Sequence, residues 1–125
     1  MKSFPSLLPL SFAVYLFSTI CSAFAAADNQ SFFENEVRPL LLRACINCHG
    51  PKKQEGNLRL DHIDGILKGG DSGSAIVPRE PDQSLLVEAI NYSGDTQMPP
   101  ENKLTAAEIQ VLTKWISIGA PWFGD

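Results

Sequence analysis

The sequence predicts a small all-α domain, on three observations. Apolar residues recur at helical spacing near both ends of the chain, two Ser/Thr-x-x-Glu strings suit helix starts, and a compact cysteine–histidine motif has the spacing of one helical turn. With 125 residues and 44% hydrophobic content there is room for one such domain, which excludes a large multidomain enzyme.

The first residues read as a secretory leader. Lys2 precedes an apolar run from Leu7 to Ile20, and Ala23-Phe24-Ala25 with Ala26-Ala27 supplies the small residues suited to cleavage. Cleavage after about residue 25 to 27 defines a leader, 1–27, and a mature domain, 28–125. The run is about 14 residues, short of the roughly 20 that cross a hydrocarbon core, so a lasting membrane span is not expected after cleavage. Cys21 is a poor lipidation site, because Ser18-Thr19-Ile20 lacks the preceding Leu and small-residue pattern. Cleavage removes one basic and no acidic group, so 9 Lys+Arg face 14 Asp+Glu and the net charge falls from −4 to −5. That sign argues against a nucleic acid or an anionic membrane as partner.

The first helix of the mature chain is marked by Phe33, Val37, Leu40, Leu41 and Ala44, which form one apolar stripe. Ser31 and Glu34 make a capping box for its start, Pro39 should kink or split it, and Gly50-Pro51 should end it. The stripe is expected to pack in the core, with Leu40 and Ala44 the members nearest any cofactor.

Loss of the leader leaves two cysteines, Cys45 and Cys48, followed at once by His49. Cys45-Ile46-Asn47-Cys48-His49 is the C-x-x-C-H signature of covalent haem attachment. Residues i, i+3 and i+4 share a helix face, so one turn can present two thiols to the vinyl groups of a porphyrin and an imidazole to its iron. A lone disulfide, a thiol redox pair and half a zinc site are the competing readings. The redox pair lacks a βαβ context, and zinc would need His62 or a carboxylate as a further ligand.

Leu58 to Leu60 reads as a brief extended piece, and Ile63, Ile66 and Leu67 as a short helix with Asp61 as N-cap and Gly69-Gly70 as its stop. His62 then falls in the first turn, as a surface residue rather than an iron ligand. Ser84 to Ile90 is a second short helix, behind Pro81-Asp82. Met98 is the sole methionine of the mature chain and precedes Pro99-Pro100, whose rings stiffen the loop. A thioether in such a loop suits the sixth position of a haem iron better than it suits a core gap. Thr105 and Glu108 form the second capping box, with Leu104 and Ile109 as a hydrophobic staple. Ile109, Leu112, Trp115 and Ile116 share the buried face of the last helix, Val111 and Ile118 widen it, and Gly119 and Pro121 close it. Its partner should be the first helix; Trp115 is expected in the core, with the haem edge as the alternative.

From Phe32 to Trp122 the chain resembles the planctomycete-type cytochrome c domain. The likeness rests on Val37-Arg38-Pro39-Leu40-Leu41 before the attachment motif, Leu58-Arg59-Leu60-Asp61, Gly69-Gly70-Asp71-Ser72-Gly73, Met98-Pro99-Pro100, Trp115-Ile116 and Gly119-Ala120-Pro121-Trp122. It implies an all-α, cytochrome c-like fold around one covalently attached haem c, with Cys45 and Cys48 as thioether sites and His49 and Met98 as axial ligands. Two departures stand out. Arg79 replaces the glycine usual in a Pro-Gly turn, so that loop is expected to differ slightly, and the chain stops soon after Trp122, as a stand-alone or truncated module would.

The function expected is that of an exported, periplasmic one-electron carrier of bacterial type, serving redox partner proteins and transforming no substrate. A redox-sensing or docking module, or a small haem peroxidase in which Met98 leaves the iron, are the alternatives. Gly70-Asp71-Ser72-Gly73 also matches the string around some serine nucleophiles, but the chain is too short for that fold and offers only His62 as base. Because about 100 residues bury a limited core, the haem-free chain is expected to be largely unfolded.

Overall fold

The computed structural model describes residues 24–124. Most of the expected leader therefore lies outside the described residues; its end, 24–27, is exposed and opens a continuous helical run. The run is α-helical over 24–32, widens to a π-helical turn at Phe33–Val37, and returns to α-helix as α1, Arg38–Ala44. The proline explains the change of pitch. Pro39 sits in the first turn of α1, where its ring would press on the carbonyl four residues back in a regular helix; the wider turn before it lets Arg38 donate to the Phe33 carbonyl instead. The expected kink thus takes the form of a register slip within the helix.

Two expectations for this segment are corrected. Ser31 and Glu34 cap nothing, because residues 24–30 are already helical and leave no free first-turn amides at Ser31. Ser31 instead accepts from the Asn35 amide at 3.1 Å, and Glu34 pairs with Arg38 at 2.8 Å. The helix also ends at Ala44, before the motif rather than at Gly50-Pro51.

Three further helices follow: α2 (Ile63–Lys68), α3 (Leu85–Asn91) and α4 (Ala106–Ser117), with single 3₁₀ turns at Glu55–Asn57 and Pro81–Gln83. Among the described residues there is no β-strand, only the isolated bridges His49 to Gln54 and Gly70 to Gly73. Nor is any helix among them long and apolar enough to cross a membrane. The cap of α2 is His62, not Asp61: His62 Nδ1 accepts from Gly65 N at 2.8 Å, while Asp61 is held away by Arg59 at 2.6 Å. At α4 the expected capping box is present in both directions, between Thr105 and Glu108.

The core is one cluster in which the π turn and α1 meet α4. Phe33, Val37, Leu112, Trp115 and Ile116 are wholly buried, Leu104 is buried beside them, and Ile109 and Val111 pack at the edge. Gly119 and Ala120, at φ 104° and 53°, turn the chain back so that Trp115 Nε1 donates to the Pro121 carbonyl at 2.9 Å. Trp122 then lies against Phe33, with ring centroids 4.8 Å apart. Arg38 donates to the Phe123 carbonyl and places its guanidinium over the Phe33 and Trp122 rings. Trp115 is therefore a core residue, with its indole N–H satisfied inside the terminal cluster.

Arg79, which stands in place of the usual glycine, keeps the backbone a glycine would adopt, at φ 72°. Its amide donates to the Ile116 carbonyl at 2.8 Å, and nearby Ser84 Oγ ties the Val77 amide to the Glu80 carbonyl. The arginine therefore sits in the left-handed region and carries the strain of that conformation.

Two predictions follow from these contacts. Thr105→Ala should lower the unfolding free energy by about 1 kcal/mol at neutral pH, measured in urea. Hydrogen bonds from the Thr105 amide and hydroxyl, and then Arg43, hold the Glu108 carboxyl below its ordinary range, so the carboxylate's share of the box is present at neutral pH and is lost as pH falls from the usual glutamate range through the lowered one, while the bond from Glu108 N to Thr105 Oγ1 remains; the gap between variant and wild type should narrow in part but not close. Arg79→Gly should stabilise the fold by about 0.5–1 kcal/mol, a higher urea midpoint, by removing a left-handed side-chain-bearing residue.

Candidate haem-binding cleft

After α1 ends, the chain makes one separate turn. The Cys45 amide still bonds back to the Leu41 carbonyl, but Cys45 leaves helical geometry at φ −124°. Its carbonyl then accepts from Cys48 N at 3.2 Å and His49 N at 2.9 Å, closing a single α-type turn. The next carbonyls are used as well: Cys48 O accepts from Glu55 N at 2.9 Å and His49 O from Leu60 N at 2.8 Å. The Leu58–Leu60 piece is extended and serves to brace the motif.

Cys45, Cys48, His49 and Met98 all line one cleft of about 250 Å³ with largely apolar walls. Leu60, Ala75, Leu86, Ala89 and Ile90 supply buried apolar surface to it. Ala44 reaches the cleft; Leu40 and Trp115 do not line it, and neither does His62, whose Nδ1 is committed to the α2 cap. The Gly70–Gly73 string forms a tight turn, with Gly70 and Gly73 exchanging backbone bonds at 3.1 and 3.0 Å, and Asp71 N donates to Gly56 O at 2.9 Å. This string is a wall of the cleft.

The donor chemistry fits a covalently attached haem. Both cysteines are free thiols, and burial pushes Cys45 up to about 11, with Arg43 opposing weakly, so that sulfur is held protonated in an apolar place. His49 Nδ1 is buried with no hydrogen-bond partner, an imidazole nitrogen left without a partner beside the cleft at a cost of about 1–3 kcal/mol. Thiols at this spacing can add S–H across vinyl groups, and imidazole and thioether can both donate to iron. Among the described residues no group of three or more His, Cys, Asp or Glu is placed to hold a bare metal ion, so the zinc reading finds no further ligands.

The residue that the motifs do not reveal is Tyr92. It ends α3 in the left-handed region, φ 61° and ψ 34°, and its hydroxyl donates to the Pro99 carbonyl, while Met98 N donates to Ala89 O at 3.1 Å. A tyrosine seven residues before a proline has no periodic signal; only the exceptional site at a helix end, where glycine is usual, sets it apart.

Gly69 shows how tightly the wall is built. At φ 73° it would place a β-carbon 1.7 Å from the Gly73 carbonyl oxygen. Gly69→Ala should therefore lower stability by about 2 kcal/mol or more, read as a fall in the urea midpoint together with a lower haem-to-protein ratio on export.

No curated protein and no solved structure matches the chain. A family model does match, over residues 45–102, a stretch that begins at the first motif cysteine, contains all four candidate cofactor residues, and ends just before α4. That family model is planctomycete cytochrome C, and the stretch it matches holds the thiol–imidazole turn and the thioether that line one apolar cleft.

Proposed function

We propose that the chain is an exported c-type cytochrome that carries single electrons between partner proteins. The observation that carries this reading is the gathering of Cys45, Cys48, His49 and Met98 in one apolar cleft from two distant parts of the chain. Haem c, when bound, supplies a reversible one-electron change at iron. The protein's own part is to hold and insulate that group. Cys45 and Cys48 would anchor it by thioether bonds, and His49 and Met98 would serve as its axial ligands. Leu60, Leu86 and Ile90 would keep water from its faces, favouring small reorganisation on electron transfer. A Met98 thioether would raise the potential relative to a harder ligand. With both axial positions filled by side chains, no substrate is expected to be transformed. The expected partners are redox proteins rather than nucleic acid, and a leader of the expected kind would send the chain to the periplasm or another exported location.

The test is an absorption spectrum and mass of protein exported from a host that matures c-type cytochromes. Wild type should carry one covalent haem and, when oxidised, a sulfur-to-ferric-iron charge-transfer band. Met98→Ala should keep the haem, lose that band and fall in potential. Cys45→Ser with Cys48→Ser should emerge colourless and melt without a cooperative transition. A wild type whose mass equals bare polypeptide would overturn the proposal.

A further inference from the structure

We propose that Tyr92 is the positioning residue that keeps Met98 at the cleft; the inference rests on Met98 being the distal ligand. The argument starts from what the loop lacks. Met98-Pro99-Pro100 contains a single backbone N–H, that of Met98, because neither proline has one. Such a segment cannot tie itself into a turn with its own amides, so its carbonyls need donors from elsewhere. The last turn of α3 meets both needs. Ala89 O accepts the Met98 amide at 3.1 Å, and Tyr92 Oη donates to the Pro99 carbonyl. The backbone is thus held on both sides of the Met98–Pro99 peptide by one helix end, and that helix also lines the cleft through Leu86, Ala89 and Ile90.

Tyr92 occupies this place against its backbone preference. At φ 61° and ψ 34° it takes the left-handed cap that glycine fills at lower cost. The side chain gives a reason for its presence: the hydroxyl reaches Pro99, and the ring is fixed by the Lys103 ammonium 5.1 Å from its centroid, with Lys103 Nζ donating to Asn91 O at 2.8 Å. Lys103 therefore braces the tyrosine from the far side of the loop. Without the hydroxyl, the loop keeps only the Met98 amide bond to α3, and the thioether competes less well with an outside ligand for the same position.

The experiment uses exported, haem-loaded protein in the ferric state. Wild type, Tyr92→Phe and Tyr92→Gly are titrated with imidazole, whose nitrogen replaces the sulfur on iron, following loss of the sulfur-to-ferric-iron band, and each is melted in parallel. Tyr92→Phe keeps the ring and removes only the hydroxyl; imidazole should bind it about fivefold more tightly than wild type. Tyr92→Gly suits the backbone angle and lacks the donor, so it should show at least the same gain in imidazole affinity without depending on a strained cap. Equal imidazole affinity in wild type and Tyr92→Phe, even with a lowered melting midpoint, would overturn the proposal and leave the hydroxyl a structural contact alone. A wild type that lacks the band and binds imidazole as readily as Met98→Ala would instead overturn the ligation by Met98, and the role of Tyr92 with it.

Discussion

The bond between the Cys45 carbonyl and the His49 amide is the constraint on which the site depends. It closes a turn of five residues and so sets the backbone from which two sulfurs and an imidazole project. The turn would be mobile if it stood alone. It is held because its later carbonyls accept from Glu55 and Leu60, so the loop that follows the motif returns to brace it. A covalent cofactor needs such rigidity, since three bonds to one planar group must form without distorting the chain.

The rest of the molecule shares one apolar core whose two sides do different work. On one side, the π turn, α1, α4 and the returning tail enclose Trp115, Phe33 and Trp122 in a packed aromatic cluster, with Arg38 over two of the rings. On the other side, the face built from Leu60, Ala75, Leu86 and Ile90 borders the cleft. A small domain with part of its apolar surface facing an open cleft gains stability from any group that covers it.

The loops that join these two sides run through four side-chain-bearing residues at positive φ: Asn57, Arg79, Tyr92 and Ala120. Each would cost on the order of 1 kcal/mol in isolation. Each is held by an identifiable bond: Asn57 to the Asp71 carboxylate at 2.6 Å, Arg79 to Ile116 O, Tyr92 to Pro99 O and Ala120 N to Trp115 O at 2.9 Å. Three of the four bonds cross between elements, so the strain is maintained by tertiary packing. Glycine could relieve it at Arg79, but at Tyr92 glycine would also remove the hydroxyl that reaches the Met98 loop.

What the sequence by itself determined is whatever is coded within a turn or two of chain. The attachment motif, the Thr105–Glu108 capping box, the buried stripes of the first and last helices and the stop at Gly69 all belong to that class, because spacing within one helical turn fixes which side chains share a face. The failures are local codes overridden by neighbours. Ser31 and Glu34 had the right letters for a cap, but the chain before them was already helical; Asp61 lost the cap of α2 because Arg59 held its carboxylate and the His62 ring was free to take the Gly65 amide. Met98 could be named from composition, as the one methionine outside the expected leader. Only the tertiary structure decided that it faces the motif turn in the same cleft, because that placement depends on bonds from Ala89 and Tyr92 to a proline-rich loop, and contacts between segments some fifty residues from the motif carry no signature in local spacing.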